Sequence, residues 1–522
     1  MVKNKSINVT CNKNVSFADC EMSILRSAVD KAEENIAKRV VSSPEIKKII
    51  EIVENFIKKK NLICYGGTAI NNILPKEDQF YNKELEIPDY DFFSVNALND
   101  AKELTDTYYN NSFTEVEAKS GQHHGTYKVF VNFMPIADIS YIPKEIFHSI
   151  KKESIRVAGI LYAPPNYLRM GMFLELSRPA GDISRWEKVL KRITLLNKHY
   201  PLANKNCDEI DFQREFEYEN GDEIYETVKN TLINQGVVFF GGFAISLYSK
   251  YMPKNLQKQL KKIPDFDVLS QDPETVAEII KERLKDIKID NVKIIKHNAI
   301  GDIIPLSYEI IVEKDTIAFI YKTIACHSYN EINYKKTHIR IATIDTMMSF
   351  YLAFLYTNRP YYDIDRILCM ANFLFEVQQK NRLEQKGLLK RFSIQCYGHQ
   401  DTVEEMRAEK SKKFTELKNN RNSPEFEEWF LMYKPETNMK LSKYKNEELE
   451  RKEDDNKRKN VRKNMRSNVK RIFINHKKTM KNSLSSSSPY PYKSSYFKVI
   501  KSKKGQKTKK KYKKRSRKFF FF

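Results

Sequence analysis

Leu62-Ile-Cys-Tyr-Gly-Gly-Thr-Ala-Ile70 returns later in the chain as Val237-Val-Phe-Phe-Gly-Gly-Phe-Ala-Ile245, and Ile87-Pro-Asp-Tyr-Asp-Phe-Phe-Ser94 returns as Ile263-Pro-Asp-Phe-Asp-Val-Leu-Ser270. The offsets, 175 and 176 residues, agree. Two different motifs recurring at one spacing mark a duplicated domain. The chain must therefore build one architecture twice, and its 522 residues suffice for two or three domains with proper cores. Two shorter echoes extend the repeat: Ile339-Arg-Ile-Ala342 matches Ile155-Arg-Val-Ala158, and Asp363-Ile-Asp-Arg366 matches Asp182-Ile-Ser-Arg185.

Each motif carries chemistry. Asn61 to Tyr65 is a short apolar strand that breaks at Gly66-Gly67, after which Thr68 to Leu74 takes helical spacing. Glycines without a Cβ let a triphosphate approach the backbone, and the free N–H groups of a helix start favour its charge. An ordinary tight turn would use the same residues, so Gly66, Gly67 and Thr68 are candidates only in company. That company is Asp89 and Asp91, which the period of two places on one strand face, opposite Tyr90 and Phe92. Neighbouring carboxylates repel each other unless a cation sits between them. A third acid, Asp138, stands between Ala137 and Ile139 in the second strand of a hairpin read over 126–132 and 135–140. A lone acid in an apolar strand is costly to bury without a partner such as a metal ion. Asp89, Asp91 and Asp138 are thus the candidate catalytic and metal-ligating set for metal-dependent phosphoryl transfer.

Helical spacing covers 19–37 and 43–57, with Ser43-Pro44 as cap and first turn, and these helices should pack beside the first strand. It resumes over 165–177 and 178–193, where Arg185, Lys188 and Arg192 share a face with Lys191 close by. Such a face can meet a triphosphate, although it can equally be a solvated basic surface. His123 and His124 lie in a turn-like loop and read as surface residues or RNA contacts. In the second copy, Phe319 falls where Asp138 stands in the first, and only Arg366 survives from the basic set. Two carboxylates hold metal poorly without the third. Asp265 and Asp267 are expected to be relics, in a copy that is catalytically dead and retained as an RNA groove or a dimer surface.

The net charge of +24 is all in the tail: residues 451–522 hold 27 Lys and Arg against 3 Asp and Glu, leaving 64 of each sign in 1–450. That tail is too polar to fold alone and suits salt-sensitive phosphate contacts with RNA, or equally a localisation signal, a virion-packaging signal or simple solubilisation. No apolar run is long enough for a membrane span, and no secretory signal opens the chain. The seven cysteines are scattered and never spaced Cys-x-x-Cys, which argues against both zinc and a disulfide framework.

The glycine pair, the three acids and the duplication together resemble the viral poly(A) polymerase catalytic subunits of large cytoplasmic DNA viruses, in their mimivirus-like branch and within the polymerase-β-like nucleotidyltransferases. Arg178-Pro-Ala-Gly-Asp-Ile-Ser-Arg-Trp-Glu-Lys188 is the most family-specific run, and the likeness spans roughly residues 40 to 400. It implies an α/β (α+β) fold with two tandem nucleotidyltransferase-like domains, each a small mixed sheet flanked by helices. The expected division is an N-terminal helical region (1–57), a catalytic domain (58–205), a degenerate copy (206–400), a helical extension (401–450) and the largely disordered basic tail (451–522). The implied activity is template-independent addition of AMP from ATP to the 3′ end of mRNA, with two divalent ions, Mg²⁺ or Mn²⁺, on Asp89, Asp91 and Asp138. Gly66, Gly67 and Thr68 would cradle the outer phosphates, and Arg185 and Lys188 would neutralise the leaving pyrophosphate. Further implications are RNA as partner, a homodimer, no membrane, and residence in the virion and host cytoplasm. A uridylyltransferase, an oligoadenylate synthetase, a non-catalytic RNA-binding subunit and a structural virion protein stay open as alternatives.

Overall fold

The computed structural model describes residues 15–202, 207–213, 220–252, 254, 257–260, 264–381 and 383–435. The expectations for the 451–522 tail fall outside these residues.

The first half opens with α1 (Phe17–Val41) and α2 (Pro44–Lys60), followed by β1 (Ile63–Cys64), α3 (Gly66–Ile73), β2 (Tyr90–Ser94), α4 (Ala97–Asn110), β3 (Val116–Ser120), β4 (Thr126–Val131) and β5 (Met134–Tyr141). It closes with α5 (Lys144–Glu153), β6 (Ile155–Val157), β7 (Ile160–Tyr162), α6 (Pro165–Leu176) and α7 (Trp186–His199). Ser43 caps α2 by accepting from the Ile46 N–H, and Pro44 starts it with a preset φ. Ile49, Val53 and Ile57 recur every four residues along α2 and are wholly buried against the sheet. Helix α7 begins later than its spacing predicts. Pro179, Gly181 and Asp182 hold a turn, and Asp182 accepts from the Ser184 N–H before the helix can start.

The second half runs α8 (Gly221–Asn234), β8 (Val238–Phe239), α9 (Gly242–Ser246), β9 (Phe266–Ser270), α10 (Pro273–Asp286), β10 (Val292–His297), β11 (Ser307–Val312), β12 (Asp315–Lys322), β13 (His327–Tyr334), β14 (Thr337–Ala342), α11 (Ile344–Phe354) and α12 (Ile364–Lys380). Strand β15 (Cys396–Tyr397), α13 (Val403–Leu417), α14 (Pro424–Phe430) and β16 (Met432–Tyr433) follow.

The strands form two sheets, ordered β16-β3-β4-β5-β2-β1-β7-β6 and β10-β11-β12-β9-β8-β14-β13-β15. Without the outermost β16 and β15 the two orders coincide strand for strand. The parallel pair β2–β5 matches β9–β12, and the antiparallel pair β4–β5 matches β11–β12. Even the irregularity between Val129 and Phe130 recurs between Ile310 and Ile311. The register corrects one echo. Leu161 and Arg340 occupy the same place beside the first strand of their sheets, so Ile339 to Ala342 corresponds to Ile160 to Ala163 on β7, not to Ile155 to Ala158.

Helices α6 and α11, each following the equivalent strand, pack on each other and join the halves. Ser328 N–H donates to Ser177 O at 2.8 Å across this junction, and Arg359 pairs with Glu145 at 2.6 Å. The chain then returns to the first sheet. Strand β16 adds to the β3 edge, Tyr433 donates to Asp106 at 2.7 Å, and Lys410 donates to Gly121 O at 3.0 Å. His124 is exposed, as expected, and faces the Trp429 ring at 4.3 Å.

Cysteine usage differs from the sequence expectation. Cys207 is bonded to Cys369 and Cys326 to Cys396, across separations of 162 and 70 residues. Pairs so far apart leave no spacing pattern; the fold alone brings their Cα atoms to 5.4 and 5.1 Å. Among the described residues Cys64 is a free thiol, buried beneath the active-site turn. No described helix is long and apolar enough to cross a membrane.

Candidate active site

The three aspartates meet where β2 runs parallel to β5. Asp91 and Asp138 are direct register partners, and Asp89 sits just before β2 at the open mouth. In the second sheet the same position pairs Asp267 with Phe319. Tyr65 N–H donates to Asp91 O at 2.9 Å, which fixes the turn after β1 over the carboxylates. Gly66 has φ +71°, in the left-handed region, and a Cβ there would lie 2.6 Å from Asp91 Oδ2. The glycine is required twice over, by its backbone and by the closeness of the acid.

Thr68 donates its hydroxyl to Asp89 O at 2.6 Å, so the side chain ties α3 to β2 rather than facing a ligand. What the turn still offers a phosphate is the set of backbone N–H groups in the first turn of α3. Tyr81 and Arg192 lie across Gly67: a Cβ there would meet the Tyr81 hydroxyl at 2.4 Å and both terminal Arg192 nitrogens at 3.0 Å. Arg192 is itself buried, donates to the Tyr81 hydroxyl at 2.7 Å and stacks 4.8 Å from the Phe80 ring. Asn71 holds this loop by accepting from Phe80 N–H and Tyr81 N–H at 2.8 and 2.9 Å.

Of the basic residues expected to meet pyrophosphate, Arg185 is exposed and paired with Glu175 at 2.8 Å. Lys188 is half-buried. Burial, with the charges of Arg192 and Arg185, lowers its ammonium to about 8, against the pull of Glu175 and Asp91. Lys191 is exposed, away from this group. Sequence reasoning did not mark Tyr81 or Glu86, which lie in a loop without periodicity, or Lys128. The alternation along β4, which leaves Thr126, Lys128 and Phe130 on one face, was the available signal for Lys128.

Burial pushes the Asp91 carboxyl up to about 7, with Asp89 and Asp138 adding to the rise. Burial also pushes Asp89 up to about 6, with Asp138 adding and Lys128 and Lys188 pulling the other way. Like charges gathered in a partly buried notch ask for a cation. An all-carboxylate donor set fits a hard divalent ion such as Mg²⁺ or Mn²⁺. The set is spread: among the described residues only His399, Asp401 and Glu405 bring three such ligand atoms within 4.8 Å of one another, and all three are exposed. That second cluster is occupied in part by helix capping, since Glu405 accepts from Thr402 N–H at 2.8 Å. Cation binding at the aspartates should weaken as pH falls from about 8 to about 5.5, because protons hold first Asp91 and then Asp89. Titrating Mn²⁺ into nucleotide-free protein across that range checks this, and a flat profile would count against it.

A glycine turn over parallel strands that carry three acids, repeated in a second sheet without the third acid, is the arrangement expected of two nucleotidyltransferase-like domains. Residues 51–182 match the family described as the poly(A) polymerase catalytic subunit. Relatives of the chain include a protein of African swine fever virus (isolate Pig/Kenya/KEN-50/1950), 37% identical over 171 residues, which are 32% of this chain and 36% of the relative. Another, from Acanthamoeba polyphaga mimivirus, is 32% identical over 187 residues, 35% of this chain and 31% of the relative. Both are provisionally named poly(A) polymerase catalytic subunits, and the chain spans only about a third of their length. The fold is that of the Megavirus polyadenylate synthase, with a TM-score of 0.66 at 21% identity over 81% of this chain and 87% of that one.

Proposed function

We propose that the chain is a poly(A) polymerase that adds AMP from ATP to RNA 3′ ends without a template. The observation that carries this reading is the pairing of Asp91 with Asp138 in the segment that matches the family, where the second sheet pairs Asp267 with Phe319.

Asp89, Asp91 and Asp138 would hold divalent cations. When bound, such ions activate the attacking 3′-hydroxyl and stabilise the departing pyrophosphate. The residues of the chain supply position and charge. Gly66 and Gly67 open the backbone so that the α3 N–H groups can bind the outer phosphates. Lys188 and Arg192 bring positive charge to that turn, and Arg185 would join them by leaving Glu175. The second sheet keeps the fold without the chemistry and serves as a scaffold through the α6–α11 contact. RNA and ATP are the implied substrates, and mRNA is the RNA that the family resemblance favours.

Full-length protein with a short RNA primer, Mg²⁺ or Mn²⁺, and each nucleoside triphosphate in turn tests the reading. Long products with ATP alone are expected. Preferential use of UTP would make it a uridylyltransferase, primer-independent short oligomers an oligoadenylate synthetase, and no extension with any triphosphate a binding subunit.

A further inference from the structure

Lys128 on β4 stands directly opposite Asp138 on β5, and its ammonium forms an ion pair with Asp138 Oδ2. The lysine side chain keeps 41% of its surface exposed, so its stem can swing into solvent without disturbing the core.

The second sheet shows what happens when the cluster is lost. Identical register, with the same irregularity one residue on, places Glu309 opposite Phe319. Glu309 is buried and bonded to His297 Nε2 at 2.8 Å and to the Thr316 hydroxyl at 2.5 Å. Lysine and aspartate are therefore absent together. A lysine serving only the strand surface would have no reason to give way to an acid where its carboxylate partner has become an aromatic ring.

We propose that Lys128 is the resident counter-cation of the carboxylate cluster: it holds Asp138 in the metal-free chain and must be displaced from that carboxylate by the incoming divalent ion. Lys128 is thus a positioning residue whose charge sets how much cation the site needs before it fills. This rests on the reading of the three aspartates as the cation site, and it does not depend on which nucleotide or RNA is used.

The test uses the full chain without RNA or ATP, titrated with Mn²⁺ by calorimetry at a fixed pH of about 8. Lys128→Met should bind Mn²⁺ roughly tenfold more tightly than wild type, since one competing unit charge beside the ion is gone. With chelator present, the same variant should melt at a lower temperature. Lys128→Arg should restore wild-type affinity. If the Met variant does not fold, Lys128→Gln gives the same comparison with a polar head left on the strand. Affinity unchanged or weakened in the neutral variants would overturn the inference and leave the catalytic reading intact. No saturable Mn²⁺ binding in wild type would overturn both.

Discussion

Asp138→Asn is expected to abolish primer extension, with a fall on the order of 10³-fold or more, while the chain stays folded. The substitution keeps the size of the side chain on β5 and removes one charge from the group formed with Asp89 and Asp91. Two carboxylates then remain for a site that needs three, and Lys128 loses its partner and adds an uncompensated positive charge where a cation should bind. Asp267→Asn provides the control. Its carboxylate lies so close to the glycine turn of the second sheet that a Cβ on Gly241 would approach Oδ2 to 1.9 Å, and its register partner is the fully buried Phe319. That change should leave extension near the wild-type rate and show itself in thermal stability. Equal inactivation by Asp138→Asn and Asp267→Asn in a gel assay would sink the distinction between a working and a vacated copy.

The contrast between the two copies was legible in the sequence because the differing residues sit in strands, where a period of two fixes which side chains share a face. Asp91 against Asp138 and Asp267 against Phe319 needed only that rule and the repeat. Longer-range facts were not legible. The ion pair of Lys128 depends on the register of a hairpin with an irregularity at Val129, which no local pattern announces. Tyr81 reaches Arg192 from a loop between α3 and β2, where neither periodicity exists. The false echo at Ile155 arose because a four-residue match falls easily on either arm of the β6–β7 hairpin, and the shared arginine favoured the wrong one. The bond from the Thr68 hydroxyl to Asp89 O cannot be foreseen from a position after two glycines.

Gly66→Ala tests the turn itself, and its effect should fall mainly on catalysis. An alanine at φ +71° costs about 1 kcal/mol of backbone strain, a modest loss of stability. The larger consequence is steric. The new methyl would sit 2.6 Å from Asp91 Oδ2, and the Asp91 backbone cannot yield because it lies in β2 and accepts from Tyr65 N–H at 2.9 Å. The carboxylate must therefore rotate away from Asp138, and a misplacement of about 1 Å at such a centre lowers rate by roughly 10²-fold. Gly241→Ala should behave in the opposite way. Gly241 has φ −91°, which any residue tolerates, yet its methyl would collide with Asp267, so the second sheet should lose stability with little direct effect on extension. Primer extension and thermal unfolding measured on both variants separate the two outcomes. Near-normal extension by Gly66→Ala would mean that the turn and Asp91 do not act together on substrate, and the phosphate-binding role assigned to Gly66 and Gly67 would have to be withdrawn.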